Sequence, residues 1–429
     1  MLQRFLVLIL IFSGLAYQAI AQKNKPNVLF IFVDDLRPDL GCYGNKEVHT
    51  PNIDQLANAS VVFNQQYVAV PTCGASRASI LTGMYPRTVT HLQNGAMEKT
   101  ISGKPAGKYP ETFIEQFKRN GYYTVGIGKI SHSADGYVYG YNEKQGNKLE
   151  LPNSWNEMLF NAGKWGTGWN AFFAYQDGTN RNAQKGNVKP YEAGDCDDEG
   201  YPDGLTARLT TEKIKMLAQQ KQPFFLGVGF FKPHLPFNAP KKYWDMYNEE
   251  SLSLSPSPFI PLAVNKASLH ESSEFNGYKA GDEPASLNKP VSDRYARKLR
   301  HAYYASISYT DAQIGKVLQA LKENGLDKNT IIVLWGDHGW HLGDDLVWGK
   351  HTLFDWALRS AFIMKTPGMK KAAICENVVS STDVYPTLMD LCGLQKPSML
   401  DGESLVPLLE EKRSGKRNQA AFSYFNRGI

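Results

Sequence analysis

The sequence predicts an α/β fold in which a central, mostly parallel sheet carries helices on both faces. Two observations predict it. Four short apolar runs each pass directly into charged residues, and segments with helix-end signals lie between them. In sheets of this kind a ligand binds outside the carboxyl ends of the strands, so the residues each run delivers at its end carry the functional information.

The first run, Val28 to Val33, leads straight into Asp34-Asp35. The second, Tyr123 to Gly128, ends at Lys129 with His132 three residues on. The third, Phe224 to Phe230, leads to Lys232-Pro233-His234, and the fourth, Ile331 to Gly336, ends at Asp337-His338. Between them, Thr50 is placed to cap a helix that has Pro51 in its first turn. Residues Glu111 to Arg119 form a second helix stopped near Gly121, and Asp293 to Glu323 a long amphipathic one. Residues 139–203, rich in Gly, Asn, Trp and Tyr, and residues 251–292, rich in Ser and Pro, read as long loops.

Before the first strand, residues 1–21 carry a basic residue, Arg4, an apolar run from Phe5 to Phe12, and Ala19 and Ala21 ahead of Gln22. This is a signal peptide with an Ala-x-Ala cleavage site, and it predicts a secreted or periplasmic protein. A membrane anchor is the competing reading, but the apolar stretch is too short to span a bilayer and no later stretch comes close. Loss of Arg4 takes the formal net charge from +5 to +4. The basic residues are dispersed, which gives no support for nucleic-acid binding, while a mildly cationic surface favours an anionic substrate. With 429 residues, 42% of them apolar, the chain can bury a large core. Its five cysteines are too few and too irregular for a disulfide scaffold or a zinc knuckle, and the odd count marks one as different.

That one is Cys73, where a strand-like segment gives way to a helix-like one. At a helix amino end, four residues before Arg77, it is expected to have a stabilised thiolate. Taken alone, a small buried cysteine beside a capping turn is the commoner reading. Asp34, Asp35, Asp337 and His338, from two strand ends, supply mostly hard oxygen ligands, which favours Ca²⁺ or Mg²⁺ over zinc. A single acidic pair at a strand end is usually a solvated turn; two pairs on strands expected to share one sheet edge make that reading much weaker.

The run Cys73, Arg77, Leu81-Thr82-Gly83 resembles the sulfatase signature Cys-x-Pro-x-Arg followed by Leu-Thr-Gly, with Ala75 where the signature carries proline. Gly128-Lys129-Ile130-Ser131-His132, Lys232-Pro233-His234, Tyr303 to Asp311, Asp337-His338-Gly339-Trp340 and Trp348-Gly349-Lys350-His351 are similar to segments of the iduronate-2-sulfatase branch, in the same order. The resemblance implies a large mixed, mostly parallel sheet over residues 22–410. It also implies that residues 411–429 begin a small antiparallel subdomain that this chain does not complete.

For the site, the resemblance implies that Cys73 is converted to formylglycine by a maturation enzyme. It further implies one Ca²⁺ held by Asp34, Asp35, Asp337, His338 and the modified Cys73. A hydrated aldehyde offers two hydroxyls on one carbon, one to attack sulfur and one whose proton loss expels sulfate. A cation would hold sulfate oxygens and lower the pKa of the attacking hydroxyl. Lys129 and Lys350 would neutralise the sulfate, Arg77 would orient the modified side chain, His132 would accept a proton and His234 would protonate the leaving alcohol. The implied substrate is a sulfated oligosaccharide or polysaccharide, in particular a 2-O-sulfated uronate. The alternatives are a phosphomonoesterase or phosphodiesterase of the same superfamily, which commonly uses Ser or Thr and often a second metal, and a silent glycan-binding homologue.

Overall fold

The computed structural model describes residues 25–369 and 371–410, together with the backbone of two short strands, Ser423–Tyr424 and Arg427–Gly428, that pair antiparallel. The predicted signal peptide, residues 1–21, lies outside the described residues, as does most of the expected terminal subdomain, 411–429.

Eight strands form one sheet: β1 (Asn27–Val33), β2 (Val61–Tyr67), β3 (Tyr123–Gly128), β4 (Glu157–Leu159), β5 (Phe224–Phe230), β6 (Thr330–Gly336), β7 (Phe362–Lys365) and β8 (Ala373–Ser380). Their spatial order is β8-β2-β7-β6-β1-β5-β3-β4. Only β7 runs against its neighbours; every other pairing is parallel, so the sheet is mixed but mostly parallel. The four strands expected from sequence are the contiguous centre, β6-β1-β5-β3. Successive side chains of a strand point to opposite faces, and on β1 this divides the core in two. Leu29, Ile31 and Val33 pack with Ile307 and Ile314 of the helix Asp293–Glu323 and with Ala207 and Ile214 of the helix Pro202–Leu217. Val28, Phe30 and Phe32 pack with Ile80 and Leu81 of the helix Cys73–Thr82, Phe113 and Phe117 of Phe113–Arg119, and Leu388 of Val384–Leu391. All seven residues of β1 are buried, as a strand covered on both faces must be.

Two local expectations are corrected. Thr50 precedes the helix Pro51–Ala57, but its hydroxyl does not cap it. The oxygen instead accepts from Gly41 N at 3.0 Å and donates to Asp54 Oδ1 at 3.2 Å, tying the helix to the loop before it. The stretch 139–203 is mostly irregular, yet it contains β4 at the sheet edge and the short helix Gly168–Phe172. That helix joins Trp165, Phe231 and Ala134 in a separate apolar cluster.

Candidate active site

Two consecutive side chains of a strand cannot normally face one point. At the end of β1 they do, because Asp35 takes a left-handed backbone with φ 58°, which breaks the alternation between Asp34 and Asp35. Tyr303 of the long helix holds this turn, donating to Asp35 O at 2.6 Å and accepting from Arg37 N at 3.2 Å. Asp337, at the end of the neighbouring β6, accepts from Asp35 N at 2.9 Å.

Cys73 is the first residue of its helix, and Arg77, one turn on, lies on the same face. The fully buried Arg77 spans the site floor. Its Nε donates to Asp337 Oδ2 at 2.9 Å and its Nη1 to the carbonyls of Lys129 and Ile130 at 2.7 and 3.1 Å. The Lys129 carbonyl can approach this closely because Gly128, the last residue of β3, faces Gly229, the last but one of β5; a Cβ on Gly229 would lie 2.0 Å from Lys129 O.

One oxygen or nitrogen atom each from Asp34, Asp35 and His338, together with Cys73 Sγ, fall within 4.8 Å of one another. His338 Nε2 is 3.2 Å from Cys73 Sγ and 3.3 Å from Asp35 Oδ1. Lys350 Nζ is 2.9 Å from Asp35 Oδ1 and 3.3 Å from Cys73 Sγ. Lys129 Nζ donates to Asp34 Oδ2 and rests 4.1 Å from the Phe172 ring centre. Asp337 is beside the group, with Oδ1 3.7 Å from His338 Nε2, but its oxygens are already engaged by Asp35 N and Arg77.

The electrostatics follow from burial. Burial acts to raise Asp34, but Lys129, His234 and Arg77 outweigh it and hold the carboxyl well below its usual range. For Asp35 burial wins over Lys350 and His338 and pushes the carboxyl up to about 7. Burial, reinforced by Asp34, pushes the Cys73 thiol well above its ordinary value despite Lys350 and Lys129. The expectation of a stabilised thiolate is therefore corrected: the helix start and Arg77 do not compensate for desolvation, and Arg77 is committed to Asp337 instead.

This donor set fits a hard cation. Asp34 Oδ1 is buried with no hydrogen-bond partner, and burial, with Asp34 adding to it, raises Asp35. A divalent ion among their oxygens would remedy both. The chain's own Cys73 sulfur stands where an oxygen ligand would complete a hard shell.

His132 lies against Trp169, with ring centres 5.4 Å apart. Burial, with Lys129 adding to it, takes its pKa well down, and its Nδ1 is buried without a partner. His234 sits in a loop braced from two sides. Asp203, at the start of the helix Pro202–Leu217, accepts from Phe231 N and Lys232 N at 2.9 and 2.8 Å. Buried Lys232 in turn donates to the carbonyls of His234 and Pro236, at 3.0 and 2.5 Å. His234 Nδ1 faces Leu235 O at 2.6 Å, and Nε2 faces Glu274 Oε1 at 3.1 Å. Both neighbours are acceptors, whereas burial and Lys350 draw the imidazole down to about 4. The Leu235 carbonyl takes a proton from Nδ1, and at Nε2 stands Glu274, which burial acts to raise but Lys350 and His234 hold well below its usual range.

Glu274 and Asp203 are site residues that the sequence does not announce. Glu274 lies in the Ser/Pro-rich stretch expected to be a loop, and no spacing signal marks it. Asp203 stands one residue after Pro202, a helix-start signal that could have found it.

With this geometry in place, the comparisons are consistent. A family model described as Sulfatase matches residues 26–394. The iduronate 2-sulfatase of Mus musculus is 31% identical over 425 residues, covering 89% of this chain and 72% of that protein. The arylsulfatase of Clostridium perfringens is 32% identical over 422 residues, covering 92% and 80%. Among solved structures, a phosphonate monoester hydrolase from Silicibacter pomeroyi has a TM-score of 0.68 at 27% identity, covering 93% of this chain and 79% of that one. The chain belongs to the sulfatase family, and its reaction class is sulfuric ester hydrolysis.

Proposed function

We propose that the protein is an exported, calcium-dependent sulfatase of glycan sulfate esters, acting on a 2-O-sulfated uronate through a formylglycine made from Cys73 by a maturation enzyme. The observation that carries it is the convergence of Cys73 with Asp34, Asp35 and His338 beside Lys350. The likeness to the mouse iduronate 2-sulfatase supports the uronate.

Asp34, Asp35 and His338 would hold the ion, with the oxygen of the converted residue 73 and with Asp337 bracing the group from behind. The ion supplies charge neutralisation for sulfate oxygens and a lowered pKa for the attacking hydroxyl. The hydrated aldehyde supplies two hydroxyls on one carbon, one for attack on sulfur and one for release of sulfate. Lys350 and Lys129 present positive charge to the remaining sulfate oxygens. His132 accepts the proton that must leave the second hydroxyl. His234, with Glu274 at its Nε2, is placed to protonate the departing alcohol oxygen.

The test pairs peptide mass spectrometry of the Cys73 peptide, taken from exported protein, with assays on sulfate and phosphate esters. The expected result is the mass of formylglycine, sulfate release, and loss of turnover by at least ~10⁴ in Cys73→Ala with an unchanged fold. An unmodified cysteine in a protein that hydrolyses phosphate esters but no sulfate ester would sink the reading. The likeness to a phosphonate monoester hydrolase favours one second reading, phosphonate ester cleavage at the same edge, and a phenylphosphonate monoester in the same assay decides between them.

A further inference from the structure

Glu274 reaches the site from outside the sheet edge. A single oxygen, Oε1, lies 3.1 Å from His234 Nε2 and 3.3 Å from Lys350 Nζ. The turn that carries it, Ser273–Asn276, is fastened to the segment that carries Lys350. Trp348 N donates to Ser272 Oγ at 2.9 Å, the rings of Phe275 and Trp348 are 5.9 Å apart, and His270 Nε2 bonds the Lys350 carbonyl. The carboxylate and the lysine are therefore parts of one packed unit, and His234 enters it from the loop after β5.

Without Glu274 the two donors have another place to go. Lys350 already touches both oxygens of Asp35, at 2.9 and 3.2 Å, and His234 Nε2 is 3.9 Å from Asp35 Oδ2. Oε1 draws them toward itself and keeps them beside each other. We infer that Glu274 is a positioning residue that fixes the His234 ring and the Lys350 head at one spacing, so that the proton donor meets the leaving-group oxygen while the lysine holds the sulfate. This rests on the proposed sulfatase reading and goes beyond it by assigning a residue that the reaction needs only when the leaving alcohol is a poor one.

The chemistry makes that condition. As the S–O bond to the alcohol breaks, its electron pair stays on the oxygen, which takes up the His234 proton. The hydroxyl attacking sulfur releases its proton to solvent, and His234 regains one from solvent before the next turnover, so none is gained or lost overall. A sugar alkoxide is a strong base and needs the proton; a nitrophenolate does not. A displacement of the donor by about 1 Å costs on the order of 100-fold in such a step.

The experiment compares wild type, Glu274→Ala and Glu274→Gln, each with Cys73 conversion verified by mass, on a uronate 2-sulfate glycoside and on 4-nitrophenyl sulfate. In Glu274→Ala, kcat on the sugar sulfate is expected to fall about 100-fold with little change in KM, and the aryl sulfate to suffer at least tenfold less. Glu274→Gln keeps an oxygen for both donors and is expected to recover much of the loss. Equal losses on the two substrates, or no recovery with glutamine, would overturn the assignment; if the alanine variant does not fold, glutamine against wild type on the two substrates answers the same question. Wild-type protein inert on 4-nitrophenyl sulfate and on the sugar sulfate removes the sulfatase reading itself, whereas turnover without the split removes only the role of Glu274.

Discussion

Arg77 Nε and Asp337 Oδ2 are 2.9 Å apart, join the helix that starts at Cys73 to the end of β6, and are both fully buried. The guanidinium also holds the carbonyls of Lys129 and Ile130, so one side chain connects three of the segments that build the site.

Removing it strands a buried carboxylate. Arg77→Met is expected to lower stability by about 3–5 kcal/mol, read from urea unfolding, because breaking a buried pair leaves one charge uncompensated. Arg77→Lys should recover little, since an ammonium lacks the fork that serves Asp337 and two carbonyls together. A lysine variant with wild-type stability would show that charge alone, without that geometry, is what matters.

The metal reading gives a measurement that needs no substrate. Added Ca²⁺ is expected to raise the thermal midpoint of the wild type, with about 2.7 kcal/mol of stabilisation at a hundred times the dissociation constant, and chelation to reverse it. Asp34→Ala should lose most of that shift, because Asp34 supplies the buried oxygen that has no hydrogen-bond partner. A shift of equal size in the variant would place the ion elsewhere.

The sequence allowed the centre of the sheet and most of this site to be read, and the reason is physical. β6, β1, β5 and β3 are buried on both faces, so each is an uninterrupted apolar run ending abruptly in charge. The outer strands carry no such signal. β2 reads VVFNQQY with its polar half only partly covered, the first half of β8 alternates exposed and half-buried residues, and β4 is three residues long. The same contrast divides the site. Asp34, Lys129, His234 and His338 follow legible strands, whereas Glu274 reaches the site through tertiary packing of a loop, and nothing local distinguishes it from Glu271 three residues earlier. The thiolate expectation failed for a related reason: helix position and a nearby arginine are visible in sequence, but complete burial is not.

Acid sensitivity should have a component outside the catalytic group. His341 is fully buried, with Nδ1 3.0 Å from Asp344 O and Nε2 2.7 Å from Thr352 Oγ1, and burial draws its pKa down to about 4 from 6.5. The unfolded chain binds this proton at a higher pH than the folded one. Its stabilisation is therefore complete above pH 6.5 and is lost as pH falls from 6.5 through 4, by up to ~3 kcal/mol. Urea midpoints measured across that range should fall more steeply for wild type than for His341→Gln, in which this titration is absent. Parallel curves would exclude His341 as a source of the acid lability.

The last prediction concerns a residue with no side chain. Gly229 is the last but one residue of β5, where its backbone meets that of Lys129 so closely that a Cβ would be 2.0 Å from the Lys129 oxygen, 2.3 Å from its carbon and 2.5 Å from its nitrogen. All three are backbone atoms, so no rotamer change relieves the contact, and the strand ends must separate. Separation withdraws the carbonyl that Arg77 Nη1 holds at 2.7 Å and moves Lys129 away from Asp34. Gly229→Ala is thus expected to cost about 3 kcal/mol or more, at the upper end for overpacking, and to lower kcat well beyond what reduced stability explains at a temperature where the variant remains folded. Turnover per folded molecule is the discriminating measurement: if it stays at the wild-type value, the close approach of these two strand ends serves stability alone, and the placement of Lys129 does not depend on it.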